Sequence, residues 1–347
     1  MLRFIHIYSL ALSLIILGVA NASEKTHLSI LTWAEYIDPQ VVNAFSDKFN
    51  TKIDFTYFET DETRDEYLIR TNGAGYDLIL VNNYALDIYK QRDWLLPLKT
   101  DDIPNISNID PKWLPELNQT IYATPYTWGT IGIAYRSDLF EKHPQTWMDI
   151  FKPQAELSGK ILMIGHSRDL IGMAAKALGY SINTSNNNEL QEISELLLEQ
   201  KTHVKSYSYL SINEKSSLLN GDIWAAQIYN GDAAVLQKIN PAVKYLLPIE
   251  GSSLWIDSWA VTKKSNQPEL AYKFLNFINQ ADHAAKNAEY TAYATPNKAA
   301  TKLLPKSYLV NPIIYPHDEV LKKCEYNKLL PPRVQRKWNM IYNEITN

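Results

Sequence analysis

From Leu28 to Val81, short β-favouring runs alternate with stretches of helical period, and this alternation constrains the fold more than any other feature. Leu28–Trp33 is apolar and β-rich. Asp38 to Phe49 then places Val41, Val42, Phe45 and Phe49 on one helical face, with Asp38 positioned to cap and Pro39 in the first turn. Ile53–Phe58 reads as a second strand, Glu62–Thr71 as a second helix, and Tyr76–Val81 as a buried parallel strand. This order calls for right-handed crossovers and a doubly wound α/β sheet. Ligands on such sheets bind outside the carboxyl ends of the strands. Trp33 to Tyr36 and Asn82 to Tyr84 occupy two of those ends.

Farther on, Pro125–Tyr135 is too long for one compact strand and suits a segment that crosses between two lobes. Lys160–Ile164, Gly172–Leu178, Glu189–Gln200, Val204–Tyr207 and Ile223–Ile228 supply a second α/β set. Leu254–Val261 returns to the first lobe, followed by the amphipathic helix Glu269–Ile278. The expected division is 23–130 with 257–300 in one lobe and 131–256 with 301–347 in the other.

Met1-Leu2-Arg3, the apolar stretch Phe4 to Val19 and Ala20-Asn21-Ala22 read as a secretory signal peptide, 1–22, cleaved near Ala22. The mature chain would carry a net charge near −5, since only Arg3 is lost from the charged residues. Mild acidity of this kind argues against a nucleic-acid partner, which needs a basic stripe. Cys324 stands alone, so no internal disulfide forms and the core must hold the fold. Hydrolase, Walker and metal-ligand motifs are missing, and the seven His residues form no ligand pair. Asp61-Glu62 reads as a helix start on a solvated face.

Two short segments carry candidate chemistry, Trp33-Ala34-Glu35-Tyr36 and Trp255-Ile256-Asp257-Ser258. Aromatic faces attract cations, and a carboxylate two residues away supplies counter-charge. Taken singly, each is equally an ordinary strand end with a buried Trp.

In company, these segments resemble the periplasmic polyamine-binding proteins, the spermidine/putrescine receptors of ABC importers. The resemblance rests on Leu31-Thr-Trp-Ala-Glu-Tyr36, Phe58-Glu-Thr-Asp-Glu-Thr63, Gly75-Tyr-Asp-Leu78, Pro125-Tyr-Thr-Trp-Gly129, Tyr229-Asn-Gly231, Leu254-Trp-Ile-Asp-Ser258 and Tyr293-Ala-Thr-Pro-Asn297, colinear over most of the chain. It implies a two-lobed type II periplasmic binding protein, each lobe a mixed doubly wound sheet flanked by helices, with the ligand cleft at the hinge. It further implies an aromatic box of Trp33, Tyr36, Tyr84, Tyr229, Trp255 and Tyr293. Glu35, Asp169 and Asp257 fall on positions that hold amino groups, and Asn82 and Asn327 on neutral hydrogen-bonding positions.

Two departures bear on ligand length. His166 stands where spermidine receptors carry an Asp, and near its ordinary pKa of about 6.5 it would repel a cation only when acid protonates it. Asp232 adds an acid of the kind associated with putrescine-type receptors. The implied protein is a monomer without cofactor, metal or catalytic residues that hands a polyamine to inner-membrane permease subunits. Polyamine sensing through a membrane regulator, and a secreted amine-acting enzyme, are the alternative readings.

Overall fold

The computed structural model describes residues 25–115 and 119–346, so the signal segment 1–22 lies outside the described residues. The first lobe grows from three strands, β1 (Thr26–Thr32), β2 (Thr51–Tyr57) and β3 (Leu78–Asn82), with β1 parallel to both of the others. Leu28, Ile30 and Leu31 of β1 are buried, and β3 is apolar on both faces because helices cover both sides of the sheet. Asp38 caps the helix Pro39–Phe49 by accepting from Gln40 N at 2.7 Å, and Thr60 caps Asp61–Thr71 through Thr63 N at 3.1 Å. Each helix stops at an Asn in left-handed conformation, Asn50 and Asn72.

The expected crossing segment is one strand, β4 (Ala123–Arg136), fourteen residues long and buried almost throughout. Its first half pairs antiparallel with β9 (Leu254–Val261), and β9 in turn pairs with β3. The second half of β4 pairs with β7 (Ala225–Tyr229) and β8 (Val243–Leu246). β5 (Ile161–Met163) joins β7 and β6 (Val204–Tyr207) in parallel, which completes the second lobe. Two connections between lobes therefore run through β4 and β9, whose shared register holds both lobes to one framework.

Each lobe has its own core. Phe45, Trp259 and Phe274 pack in the first, while Trp147, Phe151 and Trp338 pack in the second. The C-terminal helix Pro332–Thr346 lays Trp338, Ile341 and Ile345 against the helices Ser167–Ala177 and Asn187–Lys201.

Candidate functional site

The carboxyl ends of the strands from both lobes face one cavity of about 550 Å³, and all thirteen residues singled out in the sequence line it. Directly after β1 come Trp33, Glu35 and Tyr36. Glu35 holds a left-handed φ of 54°, which costs on the order of 1 kcal/mol for a residue with a Cβ. The Trp33 ring rests 4.3 Å from Phe58. Tyr36 donates to Asp257 Oδ2 at 2.8 Å, and Tyr126 donates to the Tyr36 carbonyl at 2.8 Å, fixing the turn. Asp257 sits on β9 opposite both Asn82 and Thr127, with Trp255 two residues along on the same strand face.

The second lobe brings its own pair. Tyr229 ends β7, and Asp232 lies in the first turn of the helix Asn230–Ile239. Tyr293, after the helix Ala281–Thr291, donates to Asp232 Oδ1 at 3.2 Å. The Trp255 ring stands edge-on to Tyr293 at 4.8 Å and to Tyr229 at 6.1 Å, while Tyr36 lies 6.2 Å from Tyr293. Two glycines make room for this panel. A Cβ on Gly231 would fall 2.4 Å from the Tyr293 ring, and one on Gly129 would fall 2.2 Å from Asn230 Oδ1 and 2.5 Å from Trp255.

Asp232 and Asp257 share an electrostatic state. Desolvation pushes each carboxyl up to about 6, against the pull of its tyrosine hydrogen bond. Burial and the adjoining carboxylates push Tyr36 and Tyr293 well above their ordinary value, so both stay protonated and remain donors. Each acid is thus hydrogen-bonded, but by a neutral donor.

The opposite end of the cavity is arranged differently. Tyr229 donates to Asp169 Oδ2 at 2.7 Å, and His166 Nδ1 lies 3.1 Å from the same oxygen. Burial alone would lower the His166 pKa, but Asp169 and Glu62 outweigh it and hold the imidazole well above its ordinary value. The expectation of a histidine charging only in acid left out these neighbours, whose carboxylates favour the imidazolium form.

Asp61 also departs from the sequence reading. It begins a helix as expected, yet its side chain is only 12% exposed. Its carboxylate accepts from Arg64 Nη1 at 2.5 Å, Asn82 Nδ2 at 2.8 Å and Tyr84 Oη at 2.9 Å. Asn82 also accepts from Ala85 N at 3.0 Å through its side-chain oxygen, which holds the amide in place at the cavity wall. Asn327 approaches Ser253 Oγ at 3.5 Å, and its carbonyl accepts from Asn83.

Sequence reasoning also passed over Glu59 and Tyr209, which line the cavity beside Asp61. They follow the carboxyl ends of β2 and β6, one in each lobe, so the strand-end rule could have found them. Among the described lining residues there is no Lys or Arg, against six carboxylates, Glu35, Glu59, Asp61, Asp169, Asp232 and Asp257. Among the described residues no group of three or more His, Cys, Asp or Glu side chains could hold a metal ion. An acidic cavity walled by ring faces is chemically matched to an organic cation.

A family model for bacterial extracellular solute-binding proteins matches residues 40–312. This chain belongs to that family. The solute-binding protein is 29% identical over 313 residues, 89% of each chain, to the spermidine/putrescine-binding periplasmic protein of Escherichia coli (strain K12). It is also 29% identical over 307 residues to the norspermidine sensor of Vibrio cholerae serotype O1, covering 88% of this chain and 84% of the sensor. The crystal structure of a spermidine/putrescine ABC transporter substrate-binding protein from Streptococcus pneumoniae matches with a TM-score of 0.79 and 27% identity. That match covers 92% of this chain and 98% of the pneumococcal one. The fold is accordingly the type II periplasmic binding protein fold, with the cleft between lobes. No helix among the described residues is long and apolar enough to cross a membrane.

Proposed function

We propose that this solute-binding protein captures a polyamine in the cleft, closes over it, and delivers it in the periplasm to the permease of an ABC importer. The observation that carries this reading is the pair of tyrosine-bonded acids, Asp232 and Asp257, set against the Trp255–Tyr293 ring panel. An alkyl ammonium has three donors and loses them at high cost in an apolar site, so two acceptor carboxylates answer its need. The rings cover the methylenes and add cation–π attraction of on the order of 1–2 kcal/mol each when desolvated. Trp33, Tyr36, Tyr84 and Tyr229 extend the wall, and Glu35, at the rim, meets an incoming cation first. The names of the relatives support the same ligand class. In this reading the protein acts as a monomer, makes and breaks no bond, and reaches the periplasm by cleavage of residues 1–22.

Thermal shift with putrescine, cadaverine, spermidine, spermine and agmatine tests the ligand class, because a ligand bound only by the native state raises the melting temperature by mass action. A panel without any shift removes the proposal. Product formation from any of these amines, followed by mass spectrometry, would replace a receptor with an enzyme.

Similarity to a norspermidine sensor favours a second role for the same site, reporting polyamine to a membrane regulator. Uptake of labelled polyamine in a strain lacking the protein separates the two. Lost uptake supports import, and intact uptake supports sensing.

A further inference from the structure

His166 belongs to the second lobe, but its surroundings come from both. On its own lobe Asp169 Oδ2 lies 3.1 Å from Nδ1. From the first lobe Glu62 Oε1 lies 3.4 Å and Asp61 Oδ2 4.0 Å from Nε2. The ring is 6% exposed, and Nε2, though flanked by these carboxylates, has no hydrogen-bond partner. The nearby cations are otherwise occupied. Arg64 is held by Asp61 and Asp65, while Arg168 lies 4.1 Å above the Tyr84 ring and donates to the Lys328 carbonyl. Tyr229 donates to Asp169 from β7, and Tyr209 stacks on Tyr229 at 6.5 Å.

We propose that His166 is a resident cation filling, from within the protein, the ammonium position at the Asp61–Asp169 end of the cleft, so that the cleft prefers a short diamine to a longer polyamine. This rests on the polyamine reading above and adds the length selection to it. A carboxylate cluster is an attractive place for a ligand's far ammonium only while its charge is uncompensated. Here Arg64 lies against Asp61 and His166 against Asp169, so each of these cleft acids has an internal cation beside it, whereas Asp232 and Asp257 are partnered by neutral donors.

A second cavity of about 420 Å³ lies beyond, lined by Arg168, Trp338 and Tyr342, and it shares Asp61, Tyr84 and His166 with the main cleft. Those three side chains line both spaces. A long ligand would therefore meet a like charge where the two spaces adjoin. The imidazolium also joins the lobes, taking over at this end the bridging that a ligand ammonium would otherwise perform.

Calorimetric titration of the full mature protein with putrescine and with spermidine tests this. The wild type is expected to bind putrescine about tenfold or more tighter than spermidine. His166→Gln, which keeps a polar side chain but removes the charge, should narrow that ratio about tenfold, and His166→Asp should reverse it. A wild type that favours spermidine, or a ratio unmoved in both variants, overturns the proposal while leaving polyamine binding intact. A wild type that binds neither amine removes the functional reading as well. Should the variants fold poorly, NMR titration of the wild-type imidazole decides the matter. A ring still protonated about one pH unit above the ordinary value supports the resident cation, and a neutral ring at pH 7 overturns it.

Discussion

The two ends of the cleft are built from the same materials and held in opposite electrostatic states. At one end Asp232 and Asp257 are each bonded to a tyrosine hydroxyl, and desolvation raises both carboxyls to about 6. At the other, Asp61 and Asp169 are also bonded by tyrosines, yet each has an internal cation within reach, Arg64 at 2.5 Å and His166 at 3.1 Å. Counting carboxylates would call these ends equivalent. Counting unpaired charge makes one a candidate receiving site for a guest cation and the other a structural joint between lobes.

If that contrast is right, conservative amide substitutions at the two ends should damage different properties. The largest effect is expected for Asp61→Asn, which leaves the buried Arg64 with Asp65 as its remaining carboxylate at 3.2 Å. Denaturant unfolding should show a stability loss of about 3 kcal/mol, the scale for breaking a buried ion pair. Unchanged stability would mean that Asp61 is held free for a ligand. Asp257→Asn should do the reverse, weakening polyamine binding by about 2 kcal/mol or more in a calorimetric titration while the free protein keeps its melting temperature. A variant with full affinity would remove Asp257 from the receiving end. Trp255→Ala should cost about 2 kcal/mol of affinity, because the ring lines the cleft between Tyr229 and Tyr293 while only its flank packs against the second-lobe core. If this variant instead unfolds, the ring is a packing element and the panel is not a ligand wall.

The receiving end was the more legible of the two in the sequence. Trp33 and Tyr36 could be placed because they follow a strand whose period is plain and topology brings carboxyl ends together, and Trp255 because it lies on the equally plain strand β9. Val204–Tyr207 and Leu254–Val261 match β6 and β9 to the residue. β3 starts two residues after the expected Tyr76, and Asp77 just before it ties the neighbouring loop together. Its carboxylate accepts from Ser29 N at 2.8 Å, Ser265 Oγ at 2.6 Å and the backbone of Asn266 and Gln267 at 3.0 Å. The short helices Asn83–Gln91 and Asn230–Ile239 escaped the periodicity reading, since each spends its first turn on site residues rather than on an apolar stripe. The joint was legible least. The inward turn of Asp61 depends on Arg64 from its own helix and on Tyr84 from another, and the charge on His166 depends on acids more than a hundred residues apart. No local window contains those neighbours.

A smaller effect, set by acidity, sharpens the contrast further. Asp232 and Asp257 titrate in the folded free protein near 6, above the ordinary value of 3.8. The unfolded chain therefore releases these protons first as pH rises. Their contribution to the stability of the free protein is fully present below 3.8 and is lost as pH rises through 6. A bound ammonium stabilises the ionised carboxylates and restores that loss, so the stabilisation given by ligand should grow as pH climbs through 6. In acid the carboxyls must first give up their protons, which weakens binding about tenfold, roughly 1.4 kcal/mol, for each engaged acid at about one unit below its pKa. Melting curves with and without saturating putrescine at about pH 5 and about pH 7.5 measure this directly. The carboxylates around His166 favour its charged form, so the joint should contribute less to the change than the paired acids do. A ligand increment larger at the lower pH would place the titrating groups at the wrong end of the cleft.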